Sequence, residues 1–198
     1  MSKRLTTILR REQIAEAALT LVAEQGIAAL TTRNVAQAIG VTAPALYRHF
    51  PGGKVAILAS ILELLDQVKS EGLHQALETE GNTLAKLRRC YDLHISVIER
   101  YRALPTLVLA DTLWDEAPEL RQQLQASHRE QRMLTSAIIA QGQARGEIRT
   151  DLEPGQIFVQ FLGLFLTIAI LYSREGSMVD PKTQAEASWA IFVQGLTP

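Results

Sequence analysis

Residues 31–50 read TTRNVAQAIGVTAPALYRHF, and two short helical patterns lie within them. In the first, Thr31 or Thr32 can cap the start, and Val35, Ala36 and Ile39 fall on one face. Gly40 permits the positive φ that a sharp exit requires. In the second, Thr42 is the cap and Pro44 sits in the first turn, where a missing N–H costs little; Leu46 and Phe50 form the apolar face. Two helices joined by a short turn containing glycine make a helix-turn-helix, with the small Ala36 at the crossing. The outward positions of the second helix, Thr42, Ala43, Ala45, Tyr47, Arg48 and His49, are mostly small or polar. A core helix would not expose Tyr, Arg and His together. A helix that enters the major groove would, since small residues let the backbone approach and polar ones bond bases and phosphates. An ordinary helical hairpin with a solvated face shares this pattern, so the rest of the chain has to decide.

Charge favours the DNA reading. The 198 residues carry a net charge of −1, but residues 1–55 hold seven Lys/Arg against three acids, and residues 56–198 hold 13 against 18. A basic head on an acidic body is the asymmetry expected when one end meets a polyanion. The expected division is a DNA-binding head over 1–55 and a helical body over 56–198. Hydrophobic residues at 47% and charged residues at 21% exclude disorder and a solvated linker. A single cysteine, Cys90, excludes an intramolecular disulfide framework and a cysteine-based zinc site. Residues 2–12 lack an apolar targeting core, so an intracellular, cytoplasmic chain is expected. The apolar run 157–172 is interrupted by Gln160, Gly163 and Thr167; it reads as a helix buried on more than one side, not a membrane span.

Helical periodicity extends through nearly all the sequence, and no long stretch alternates with period two. The expected fold is all-α with about nine helices: 7–25, 31–40, 42–50, 54–80, 83–102, 105–114, 118–143, 154–173 and 181–196. Ile14, Ala18, Leu21 and Val22 mark the inner face of the first; Leu84, Leu87, Tyr91, Ile95 and Ile98 mark that of the fifth. Asp180-Pro181 is a cap followed by a first-turn proline.

The stretch from about Arg11 to Lys54 resembles the TetR family of bacterial transcriptional regulators. LTTR, then A-x-x-x-G-V, then P-x-L-Y-x-H-F with a lysine soon after, are close to that family's signature. The resemblance implies that Thr31, Thr32, Tyr47, His49 and Lys54 contact phosphate and that Arg33 reaches a guanine edge. It makes Thr42, Ala43, Pro44, Ala45 and Arg48 the sequence-reading set. Lysines and helix N-termini do favour phosphate oxygens, and arginine can grip guanine bidentately. Two departures stand out: Pro51-Gly52-Gly53 places one more residue before Lys54 than is usual, and Val55 stands where an acid is frequent.

One helix-turn-helix reads few base pairs, so a two-fold dimer on near-palindromic, double-stranded operator DNA is expected. The last two helices carry more apolar residues than one contact needs, and Phe158, Leu162, Leu166, Ile170, Trp189, Phe192 and Val193 are the candidate dimer face. In a monomer they would be core. Polar or aromatic residues interrupt inward faces at Tyr91, His94, Tyr101, Asp111, Trp114, His128 and Gln131, with Phe161 and Phe165 opposite. These suit a pocket for a small apolar or aromatic effector, an expectation owed mainly to the resemblance. Effector binding would shift the population toward a body conformation in which the fourth helix swings and DNA is released. The competing reading is an architectural DNA-binding protein whose body meets a protein partner. No phosphate-binding glycine loop, HExxH or G-x-S-x-G motif is present, and no cofactor or metal is expected. Cys90 and His94 lie four apart on one helix, too few ligands for a metal site.

Overall fold

A computed structural model describes residues 2–78, 80–175 and 180–197, with side chains except those of residues 2–10, 49, 112, 113 and 175. Among these, the chain is all-α: α1 (Ser2–Gln25), α2 (Thr32–Ala38), α3 (Ala43–His49), α4 (Lys54–Glu78), α5 (Thr83–Arg100), α6 (Leu104–Val108), α7 (Asp111–Asp115), α8 (Pro118–Ala144), α9 (Pro154–Glu175) and α10 (Pro181–Leu196), with a short 3-10 turn at Ile27–Ala29. The single helix expected at 105–114 is two short ones. The first ends at Val108 with Leu109 as its C-cap, and Ala110 is out of helical geometry at φ −85°, ψ 85°.

The chain forms two compact units. One comprises residues 1–67 and 101–124, the other 68–100 and 125–198. This divides the chain differently from the expected 1–55 and 56–198, because α6 and α7 belong with the helix-turn-helix. α4 and α8 each contribute residues to both units.

In the first unit α1 packs against α2, and α2 against α3. Ile14, Ala18, Leu21 and Val22 are buried as their spacing requires, as are Val35 and Ala36. Tyr101 and Trp114, expected in a pocket, are instead core residues of this unit. The Tyr101 hydroxyl bonds Glu16 Oε1 at 3.1 Å, and the Trp114 indole N–H donates to Leu107 O at 3.0 Å. Large aromatics bury most when their single polar atom finds an acceptor, and both do.

In the second unit α10 packs on α9 and α5, and α5 on α9. Their core joins Leu87, Tyr91, Ile95 and Ile98 to Ile138 and Ile139 of α8, Ile157, Phe158, Phe161 and Phe165 of α9, and Phe192 of α10. Asp180 caps α10 by accepting from Thr183 N at 2.9 Å, which holds its carboxyl below the ordinary value. Arg149 N donates to Leu196 O, tying the loop before α9 to the end of α10.

Two expectations about these helices need correction. Phe158 and Phe192, placed on the dimer face, are buried within the chain's own core. The apolar helix is not buried on more than one side. Pro154–Arg174 is long and apolar enough to cross a bilayer, yet only 33% of its most apolar stretch is buried, since α5 and α10 cover one face. A sequence apolar nearly all round has no stripe to indicate which face its neighbours take.

α8 passes close to the start of α5 at Gly142. A Cβ there would lie 2.6 Å from Thr83 Oγ1 and 2.8 Å from Thr83 Cβ, and Thr83 is buried. Gly142→Ala should therefore destabilise the protein by about 1–3 kcal/mol through overpacking. That clash outweighs the roughly 1 kcal/mol of helix propensity gained by alanine. The midpoint of urea unfolding measures the difference.

Candidate nucleic-acid interface

The helix-turn-helix is assembled from local chemistry. Thr31, not Thr32, caps α2: its Oγ1 accepts from Asn34 N at 3.1 Å, and Asn34 Nδ2 donates back to Ala29 O at 2.9 Å. Gly40, at φ 71°, ends the helix; its N–H bonds Gln37 O at 3.1 Å, and Val41 N bonds Ala36 O at 2.9 Å. That pair of bonds needs a left-handed residue, which glycine supplies without a Cβ penalty. Thr42 caps α3, accepting from Ala45 N at 3.4 Å, and Pro44 lies in its first turn. Leu46 and Phe50 are buried at 2% and 4% exposure. Each such side chain is worth about 1.5–3 kcal/mol of apolar burial, which docks the helix.

The opposite face of α3 is open. Thr42, Pro44, Tyr47 and Arg48 are exposed, and Ala43 and Ala45 are half-buried. Arg33 is exposed on α2. His49 is part of α3, but its side chain lies outside the described residues. Tyr47, 48% exposed, reaches across to α2, its hydroxyl 3.2 Å from Thr32 Oγ1. Gly53 turns the chain at φ 57°, a left-handed conformation that glycine adopts without a Cβ penalty, and lies next to this pair. Lys54 opens α4 directly after the Pro-Gly-Gly turn.

Thr31, Thr32, Tyr47 and Lys54 all line one cleft of about 400 Å³, together with apolar residues from 27–30 and Glu116. Glu116 was not foreseen. It follows α7, 62 positions from Lys54, and accepts a hydrogen bond from Lys54 Nζ at 2.8 Å. No local pattern signals a contact over that separation.

The expected effector residues divide. Tyr91, His94, Gln131, Phe161 and Phe165 belong to the second unit and are linked. His94 stacks on Phe165 with ring centroids 4.2 Å apart, and Tyr91 and Phe161 are 6.3 Å apart. The His94 Nδ1 hydrogen goes to Cys90 O at 2.7 Å, so Nε2 is the acceptor facing Gln131 Nε2 at 3.1 Å. Tyr101, Asp111 and Trp114 belong to the first unit, Asp111 exposed near Arg121. His128 is exposed. Ser136, further along α8, has a buried hydroxyl with no partner among the described residues. Burial pushes the Cys90 thiol up to about 11 and the Tyr91 phenol up to about 12, so Cys90 is a protonated, packed thiol. Among the described residues no three His, Cys, Asp or Glu side chains gather as a metal site.

Val159 and Leu171 on α9 and Ile191 on α10 are exposed, the last 73%. Leu162, Leu166, Ile170, Trp189 and Val193 are half-buried.

Comparison with known proteins adds independent findings. A family model described as bacterial regulatory proteins, tetR family, matches residues 14–61. A second, described as tetracyclin repressor-like, C-terminal domain, matches residues 83–189. The chain is 26% identical over 183 residues to the nucleoid occlusion factor SlmA of Vibrio vulnificus, covering 92% of this chain and 93% of that protein. It is 24% identical over 193 residues to the HTH-type transcriptional repressor KstR2 of Mycolicibacterium smegmatis, covering 95% and 91%. The solved structure of the ketosteroid transcriptional regulator KstR2 of Mycobacterium tuberculosis has the same fold, with a TM-score of 0.79 at 21% identity over 96% of this chain and 95% of that one.

His94 titrates in a way that stability can report. Burial lowers its pKa below 6.5, so between that folded value and 6.5 the unfolded chain binds the extra proton. Stability is therefore full above 6.5 and falls as pH drops through this window. Urea unfolding from pH 7 down to about pH 5 should show this loss. His94→Gln, which cannot protonate, should flatten it.

Proposed function

Because this chain belongs to the tetR family of bacterial regulatory proteins, we propose that it is a one-component transcriptional repressor that holds palindromic operator DNA as a homodimer in the cytoplasm and releases it when a small apolar or aromatic effector binds. The division of labour is a DNA-binding head over 1–55 and an effector-binding, dimerising body over 56–198. The observation that carries the DNA reading is the orientation of α3. Leu46 and Phe50 are turned inward, and Thr42, Pro44, Tyr47 and Arg48 are left outward beside Arg33.

In this reading Thr31, Thr32, Tyr47, His49 and Lys54 hold phosphates, and Arg33, Thr42 and Arg48 supply hydrogen-bonded readout. Ala43, Pro44 and Ala45 offer only apolar contact, as to a thymine methyl. The dimer face is the uncovered side of α9 and α10, with Val159, Leu171 and Ile191 added to Leu162, Leu166, Ile170, Trp189 and Val193. Phe158 and Phe192 support that face from within the core. The effector site is the group around His94, Gln131, Tyr91, Phe161 and Phe165. A hundredfold loss of DNA affinity needs a hundredfold preference of the effector for the released conformation, about 2.7 kcal/mol.

A second reading draws support from the likeness to a protein named as a nucleoid occlusion factor. In it the chain binds DNA constitutively and its body meets a protein partner. Thermal shift against a panel of apolar and aromatic compounds separates the two. A raised Tm that accompanies loss of DNA binding supports the repressor, and indifference to every compound supports the alternative.

Lys54→Ala should weaken binding to all duplexes alike and flatten the salt dependence by about one unit. Arg33→Ala should relax preference at one base pair per half-site. Fluorescence anisotropy with variant operators reads both, and unchanged preference in Arg33→Ala removes that assignment. Ile191→Glu should convert the dimer to monomer in sedimentation velocity, since it buries an unpaired charge in the interface.

A further inference from the structure

Lys54 does not present an unengaged ammonium to the cleft. Its Nζ donates to Glu116 Oε2 at 2.8 Å, and the pair closes on the same cleft that Thr31, Thr32 and Tyr47 line. An ammonium makes the same short, charge-assisted bond to a carboxylate as to a phosphodiester oxygen. Among the described residues Glu116 pairs with no other cation. Arg121 holds Asp111 and Asp115, and among the described residues Glu116 is the acid that reaches Lys54. Both members are partly solvated, with side-chain exposures of 33% and 59%. Such pairs are weak, so an incoming anion can exchange for one of the partners.

We propose that Glu116 is an intramolecular stand-in for a DNA phosphate, a gate that holds Lys54 in the free protein and is displaced when the duplex enters. This rests on the reading of Lys54 as a phosphate contact. Displacement costs the Lys54–Glu116 ion pair. That cost is independent of base sequence. Glu116 therefore lowers affinity for every duplex by the same factor and leaves the ratio between sequences, which base contacts set, unchanged. It is a positioning residue, acting on DNA only through Lys54.

The test is a double-mutant cycle on the full-length protein, read as anisotropy of a labelled duplex of arbitrary sequence at about 100 mM salt. Glu116→Gln should tighten binding about threefold to tenfold, and Lys54→Ala should weaken it. On the Lys54→Ala background, Glu116→Gln should change affinity by less than about twofold, because the group it gates is gone. Equal tightening with and without Lys54 would overturn the gate, leaving Glu116 a long-range repulsive charge. No effect of Glu116→Gln in a protein that Lys54→Ala weakens would overturn the gate and leave the phosphate reading standing. No effect of Lys54→Ala removes the phosphate reading and the gate together. Thermal unfolding of each variant checks that the fold is intact.

Discussion

Seven residues cannot sustain a helix by themselves: nucleation is unfavourable, and isolated helices below about 12 residues are marginal in water. α3 exists because Leu46 and Phe50 are held under it, and because Thr42 and Pro44 give its first turn the right start. That one docking contact orients everything else at this end of the chain. With the apolar side fixed inward, the polar side has nowhere to point but out. The Schellman bonds at Gly40 set where α3 begins, and the Tyr47 hydroxyl beside Thr32 ties its far end back to α2. A surface that could slide or roll would read no sequence; this one is pinned at both ends.

The second unit solves a different problem. α5, α9 and α10 bury a continuous aromatic and aliphatic core, in which Tyr91 stacks on Trp189 at 5.5 Å and Arg88 lies over the same indole while pairing with Glu186. What they leave open is also apolar. Val159, Leu171 and Ile191 are large apolar side chains left exposed on α9 and α10. The polar interruption at His94 and Gln131 is satisfied internally, each by the other and by Cys90 O. A network of that kind ties specific rotamers together.

Electrostatics gives the head a further layer. Its positive charge is modest, seven basic residues over 55, and among the described residues Arg11 is paired with Glu63 and Lys54 with Glu116. As proposed, Glu116 beside Lys54 would lower affinity for all duplexes alike and leave discrimination among sequences to the base contacts.

The order of the helices, the helix-turn-helix and the outward set on α3 could all be read from residue types and spacing. Caps, glycines and a 3.6-residue period are local properties, and local geometry is what they dictate. The same holds for the inner faces of α1 and α5. Three things could not be read that way. The break at Ala110 divides a pattern that looks continuous. Tyr101 and Trp114 became core residues, because their acceptors, Glu16 and the 107–108 carbonyls, are provided by the folded arrangement. On α9, Phe158 went inward and Val159 outward, although both neighbours are apolar. Periodicity states that a helix has faces; only the placement of other helices decides which face is covered. For the same reason Lys54 was legible as a cation in the right place, while its partner, 62 residues away, was supplied by tertiary structure alone.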